Sequence, residues 1–293
     1  MQLGVHLPLM PFGEEPLSLE RLTRTVDAAR ECGFAAVSAN DHFVFQTPWL
    51  DGPTALASVV ERSGQMTLAT TVSLVALRGP VPLAKALAAI DILSEGRLVA
   101  GLGPGSSKRD YDAVGLSFDD RWKLFDDAIA GLRAALGELA PLPRQPGGVP
   151  LWIGSWGSDV GLARVARTGD GWLASAYNTT PERFAAARSL LARKLAERGR
   201  DADAFPNALA TMWTWVCDRA DGERVVADVL APLLGRDPDE LRAQVCVGPP
   251  EHCAELLWRY AEAGCGRVYL WPLGDERRQL ELIASDVAPA IAR

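Results

Sequence analysis

The chain has no apolar run approaching the roughly 18 residues that span a bilayer, and Met1 to His6 carries no basic stretch of the kind that opens a signal peptide. A cytoplasmic protein with no membrane partner is expected. Cysteine is limited to Cys32, Cys217, Cys246, Cys253 and Cys265, an odd count without a Cys-x-x-Cys pair. That pattern argues against a disulfide framework or a zinc ribbon and predicts reduced, mostly buried thiols. Histidine is scarcer, at 3 residues, and no His-x-His or other metal-ligand spacing exists, so no metal site is expected. Lysine is confined to Lys85, Lys123 and Lys194, which fall in helical patterns, and Lys108, which reads as loop. None stands at a strand end where a Schiff base would need it. Basic charge is also short: 30 Lys and Arg against 37 Asp and Glu give a net charge of -7. Nucleic acid and anionic membranes are therefore disfavoured, and any anionic ligand must be held locally.

What is present is enough apolar material for a large core, with 48% hydrophobic and 23% charged residues over 293 positions. Short apolar runs alternate with amphipathic stretches. The strands read as Leu3 to Leu7, Ala35 to Ala39, Met66 to Val72, Leu98 to Leu102, Pro150 to Gly154, Gly171 to Ala174, Ala208 to Cys217 and Arg267 to Trp271. The helices read as Ser18 to Cys32, Pro53 to Ser63, Pro82 to Leu93, Phe118 to Leu136, Asp159 to Thr168, Pro181 to Arg198, Pro250 to Ala263 and Arg277 to Ile291. Eight of each in alternation predict an α/β fold, a (β/α)8 TIM barrel forming one domain over 1–293, with chemistry at the carboxyl ends of the strands. A Pro- and Gly-rich surface linker is expected over Gly137 to Gly148, and an inserted segment before the last β/α unit over 218–246.

The candidate chemistry follows from that placement. Asp41 and His42 come directly after the second strand, and imidazole is the side chain most readily tuned for proton transfer near neutral pH. A helix cap or loop tie is the competing reading of the pair. His6, in the first strand, is either a core histidine or a substrate contact, and His252 reads as exposed. Two glycine turns follow strands. Gly103, Gly105 and Ser106 have the glycines of a ligand loop, while Gly154, Ser155, Trp156, Gly157 and Ser158 run from a strand into a helix start, where N–H groups and hydroxyls suit a phosphate. A plain N-cap by Ser158 is the alternative. Trp49, Trp156, Trp213 and Trp215 gather where a planar ligand would lie, and alternation puts Trp213 and Trp215 on one strand face, so that either both reach the barrel interior or both pack under helices.

Taken in order, Asp41-His42-Phe43, the Lys85 to Gly105 segment, Arg121, Gly169-Asp170-Gly171-Trp172, Val247-Gly248-Pro249-Pro250-Glu251 and Leu280 to Ile291 resemble the luciferase-like monooxygenase superfamily over nearly the whole chain. The resemblance implies a barrel that binds coenzyme F420 (a deazaflavin) or FMN, often as a homodimer. It places the ring of the coenzyme against Thr71, Val72 and Ser73, with a non-proline cis peptide among them, and the phosphate on Gly154 to Ser158, assisted by Ser175. Asp41 and His42 match the Asp-His of the deazaflavin branch, with His42 near the reacting carbon as acid or base. His6, Trp49 and Trp213 are the expected substrate contacts. A lysine of the glucose-phosphate-oxidising members is matched here by Asn178, and their early acid by Met10, which argues against sugar-phosphate oxidation.

The leading expectation is F420-dependent hydride transfer to or from a small organic substrate. The alternative is a monooxygenase using oxygen and reduced FMN from a separate reductase, and a third reading is a non-catalytic flavin-binding barrel. The substrate is set by the loops Pro8 to Pro16, Phe43 to Asp51 and Ser106 to Ser117 and by the insertion.

Overall fold

The computed structural model describes residues 1–291, so the last two positions of the expected 1–293 domain lie outside the described residues. Eight parallel strands close into a barrel: β1 (Gln2–His6), β2 (Ala36–Ala39), β3 (Thr67–Ser73), β4 (Leu98–Leu102), β5 (Leu151–Gly154), β6 (Gly171–Ser175), β7 (Asn207–Val216) and β9 (Arg267–Pro272). Neighbours pair in that order, β7 pairs with β9, and β9 returns to β1. The expected (β/α)8 barrel is thus the fold. One strand was not foreseen: β8 (Cys246–Gly248) adds to the far end of β7 through Thr214, Trp215 and Val216, outside the closed ring. At three residues it is too short for an alternation signal, and it reads in sequence as the end of the insertion.

The connecting helices carry the expected amphipathic faces. In chain order the first eight are α1 (Leu19–Glu31), α2 (Gly52–Ser58), α3 (Val75–Arg78), α4 (Pro80–Leu93), α5 (Lys108–Ala113), α6 (Arg121–Glu138), α7 (Asp159–Thr168) and α8 (Pro181–Ala196). Ser18, Ser107, Ser158 and Thr180 each accept a first-turn N–H, capping α1, α5, α7 and α8. Three expectations need correction. The helix expected to reach Ser63 stops at Ser58, α3 and α5 are additional short helices, and Lys108 begins α5 rather than lying in a loop. Inside the insertion, helical turns run through Arg219–Arg224, Val225–Leu230, Ala231–Leu234 and Pro238–Arg242.

Strand register sorts the barrel interior into two layers. In the lower layer, Trp152, Leu173 and Tyr269 pack with Ala36, Ala69, Ala208 and Ala210 in one buried cluster. Glycines make room for the rings. A Cβ on Gly171 would stand 2.6 Å from the Trp152 indole, and one on Gly4 would stand 2.8 Å from the Tyr269 ring. The lower barrel is therefore a filled plug. One step along each strand, period-two alternation turns His6, Ser38, Thr71, Gly103, Gly154, Ser175 and Trp271 inward to form the upper layer.

Strand β7 needs a correction of phase to contribute there. Its pairing with β9 slips between Leu209 and Met212, and Thr211 between them has φ +58°. The extra residue is a bulge. Without it, the face that carries Ala208 and Ala210 would continue through residue 212. With it, Trp213 turns inward opposite Trp271.

Candidate active site

A cavity of about 240 Å³ opens at the carboxyl ends of the strands, lined by Met10, Asn40, His42, Phe45, Trp49, Ser106, Ser107, Trp156, Tyr177, Thr211, Trp213, Leu233, Leu234 and Arg236. Aromatic contacts run continuously beneath and beside it. Trp213 stacks on Trp271 at 4.3 Å, Trp271 stacks on His6 at 3.6 Å and meets Trp49 edge-on at 5.5 Å, and Trp49 meets His42 at 4.7 Å. Phe45 closes the group against both His42 and Trp49. Trp215 is half-buried and lies outside the lining.

His42 is held by an acid that sequence adjacency did not suggest. Its Nδ1 lies 2.9 Å from Oδ2 of Asp110, a residue of α5 that is 1% exposed. The other oxygen of Asp110 accepts the Phe43 and Val44 amides at 2.9 and 2.7 Å. Burial opposes the charge on Asp110, but the His42 hydrogen bond and the Val44 and Phe43 amides outweigh it and hold the carboxyl below the usual carboxylate range. An ionised Asp110 accepts the Nδ1 proton, which fixes the tautomer and leaves Nε2 as the nitrogen available to the cavity. A local signal existed in the sequence. Ser107-Lys108-Arg109-Asp110 is a Ser-x-x-Asp start, and the Ser107 hydroxyl accepts the Asp110 amide at 3.3 Å.

Asp41, expected beside His42 as a cofactor contact, has another task. Its carboxylate takes a two-pronged bond from Arg78, with both N···O distances 2.6 Å, and the Leu74 amide at 3.3 Å. Arg78 also donates to Asp51, the N-cap of α2. Asp41 is buried and absent from the cavity lining, so it ties the β2 exit to the β3 exit and sets the loop that carries His42.

His6 likewise lies beneath the cavity rather than in it. It is fully buried under Trp271, and its Nδ1 donates to the Leu7 carbonyl at 2.7 Å. Burial pushes the imidazole down to about 3, with the Leu7 carbonyl and the Asn40 side chain acting the other way. The ring is neutral, and Nε2 is a buried acceptor without a partner. It has company. Ser38, Asn40, Thr47, Thr71 and Ser73 each bury an oxygen without a partner, and Trp49, Trp213 and Trp271 each bury an unpaired indole N–H. All sit in the carboxyl-terminal halves of barrel strands or in the loop after β2. Buried polar groups are normally paired, so this concentration marks a surface shaped for water or a ligand.

The matching family model describes luciferase-like monooxygenases and covers residues 1–267. The chain belongs to that family. It is 26% identical to an F420-dependent glucose-6-phosphate dehydrogenase of Gordonia bronchialis, over 95% of each chain. Its fold superposes on an F420-dependent secondary alcohol dehydrogenase bound to an F420-acetone adduct with a TM-score of 0.84, at 16% identity over 99% of this chain and 98% of that one. The monooxygenase RslO1 from Streptomyces bottropensis gives a TM-score of 0.82 at 20% identity, over 99% of both chains.

Within this luciferase-like barrel, His42, Ser106 and Trp156 are the residues carried over for a flavin-type coenzyme that line the cavity, while Thr71, Val72, Ser73, Gly103, Gly154 and Ser175 stand at the ends of the consecutive strands β3 to β6, outside its lining. The Thr71–Val72 peptide is cis, among the three residues named for the ring, and β3 and β4 shift register between Thr70 and Ser73. The Val72 side chain points at two strand-end glycines: a Cβ on Gly103 would lie 2.6 Å from it and one on Gly154 3.3 Å. Those glycines therefore leave room for the Val72 side chain. Ser106 lines the cavity, and Gly105, with φ +80°, turns the chain away into Ser107 and α5.

The second glycine turn leads straight into α7. Ser158 caps the helix by accepting the Gly161 amide, and Ser155 accepts the Gly157 amide at 3.2 Å. Gly157 has φ +93°, a conformation a side chain would resist, and Trp156 is 59% exposed at the cavity rim. The N-cap reading of the turn is thus observed, and a capped N-terminus does not preclude an anion, because other first-turn N–H groups have no partner within the helix. Ser175 lies at the end of β6, where its hydroxyl accepts the Asn178 amide at 2.8 Å. Asn178 in turn accepts from Arg236, delivered by the insertion.

Proposed function

We propose that this chain is a coenzyme F420-dependent oxidoreductase acting on a small organic substrate. The observation that carries the reading is the His42–Asp110 pair, a base of fixed tautomer whose second nitrogen serves an aromatic cavity at the barrel mouth. The orphaned polar oxygens of Thr71 and Ser73, the Val72 side chain and the Gly154 to Ser158 turn fit a planar coenzyme with a phosphate tail. When bound, the deazaflavin would supply hydride exchange with a substrate carbon.

The chain's own residues supply the rest. Nε2 of His42 takes the hydroxyl proton when an alcohol is oxidised, or returns it when a carbonyl is reduced. Asp110 stabilises the imidazolium formed in between and keeps the ring from turning. Trp49, Phe45 and Trp213 crowd water from the reacting oxygen. A sugar phosphate is a poor fit, because Met10 and Asn178 stand where the glucose-phosphate-oxidising members have an acid and a lysine. The test is a fluorescence titration with coenzyme F420 and with FMN, oxidised and reduced. Micromolar binding of F420 alone is the expected result, and binding of neither would overturn the reading. The largely apolar walls also suit the oxygen chemistry of an FMN monooxygenase fed by a separate reductase. Preference for reduced FMN, with oxygen uptake coupled to substrate, would establish that alternative.

A further inference from the structure

The cavity wall contributed by the insertion holds one feature that the hydride chemistry does not use. Arg236 follows the left-handed Gly235 that ends the Ala231–Leu234 turn, and its guanidinium reaches the cavity beside Leu233 and Leu234. Among the described residues no other Lys or Arg lines that cavity, and no carboxylate does. Among the described residues no acid pairs with Arg236, although the chain carries 37 acids and arginines elsewhere, such as Arg78, Arg164 and Arg242, are bridged to acids. The neighbouring Asp237 is turned away, accepting the Asp239 and Glu240 amides as a helix cap.

The side-chain bond found for Arg236 goes to Oδ1 of Asn178, whose amide is itself fixed on Ser175. That chain orients the guanidinium and occupies one of its five N–H donors, leaving the rest for a ligand. Tyr177, between Ser175 and Asn178 in sequence, also lines the cavity. Burial pushes its phenol up, so it remains a donor. An oriented, unpaired guanidinium with a phenol beside it, set among Met10, Trp213 and two leucines, is arranged for a planar oxyanion.

We infer that Arg236 selects the substrate: the cavity takes a small organic acid, its carboxylate held by Arg236 and Tyr177 with its reacting carbon toward His42. This rests on the proposed oxidoreductase reading for the reacting end but not for the anion subsite. The same cation could instead meet an anionic tail of the coenzyme, so the experiment separates the two sources.

Benzoate and its uncharged counterpart benzamide are titrated against the protein, with and without bound coenzyme F420, by quenching of tryptophan fluorescence. Wild type should bind benzoate about tenfold or more tighter than benzamide, the discrimination of one charge-assisted pair. Arg236→Gln should abolish that preference and Arg236→Lys should restore part of it. Benzamide affinity, coenzyme affinity and the thermal midpoint should be unchanged in both variants. Equal affinity for the two ligands in wild type, no saturable quenching by benzoate, or an unaltered preference in Arg236→Gln overturns the inference. So does a variant whose loss is confined to coenzyme binding. If wild type binds neither F420 nor FMN yet prefers benzoate through Arg236, the subsite stands and the oxidoreductase reading falls.

Discussion

The two layers of the barrel interior are built on opposite rules. Below, Trp152, Leu173 and Tyr269 fill the space that Gly4, Ala36, Ala69, Gly171, Ala208 and Ala210 leave, and the layer is apolar and closed. Above, His6, Ser38, Thr71, Ser73, Trp213 and Trp271 bury polar atoms with no partner. Each such atom costs about 1–3 kcal/mol if it stays unpaired. A fold selected for stability alone would not collect them on one rim, so the lower layer supplies rigidity and the upper layer is shaped for ligand and solvent. Substitutions should therefore split cleanly, with function lost above and stability lost below.

The largest expected effect is in the upper half. His42→Ala should lower turnover of a screened alcohol or carbonyl substrate by about 10²–10⁴-fold, the usual range for a positioned acid–base group. Coenzyme affinity and the unfolding midpoint should hardly move. A fully active variant would remove His42 from the mechanism.

The lower half gives the next effect and the opposite signature. In Gly171→Ala the added methyl would press on the Trp152 indole, where backbone and ring are both enclosed. A loss of about 1–3 kcal/mol is expected, seen as a lower chemical-denaturation midpoint with kcat preserved in the molecules that fold. Gly137→Ala is the control, because its helical site in α6 meets nothing within 4 Å and gains helix propensity. Unchanged stability in Gly171→Ala would mean that the plug is looser than its distances say.

Asp110→Asn sharpens the contrast between the two acids at the β2 exit. Loss of the ionised acceptor frees the tautomer and ring angle of His42, and turnover should fall by about 10–100-fold with a shifted pH–rate profile. Asp41→Asn should act on stability, since it weakens the bond to Arg78 and leaves the His42–Asp110 bond in place. If the two variants behaved alike, Asp110 would be only another loop tie.

The legibility of the sequence divides along the same line. The barrel could be read because each ring strand is a short apolar run bounded by turn residues and followed by an amphipathic helix, which is local information. Strand β8 was lost because three residues carry no period. The inward turn of Trp213 was undetermined because it depends on the bulge at Thr211, a residue whose type gives no hint of a positive φ. Asp41 drew attention by standing next to His42, yet consecutive residues leave a strand in opposite directions, and the partner came from α5, 68 positions on. Arg236 had no signal at all, since only the fold carries the insertion to Asn178.

The smallest effect tests whether the floor between the layers is dry. His6 has an ordinary value near 6.5 in the unfolded chain and about 3 in the fold, because burial penalises its charge. Below pH 6.5 the unfolded chain binds a proton that the folded chain refuses. The stability that comes from the neutral ring is therefore complete above that pH and is lost as pH falls toward 3. The slope cannot exceed about 1.4 kcal/mol per pH unit for one proton. Urea unfolding at pH 7 and pH 5 should show wild type losing about 1–2 kcal/mol more than His6→Gln, which lacks the titrating group. Equal losses would mean that water already reaches Nε2 and that His6 belongs to the cavity above it, which would move the boundary between the two layers down by one residue on β1.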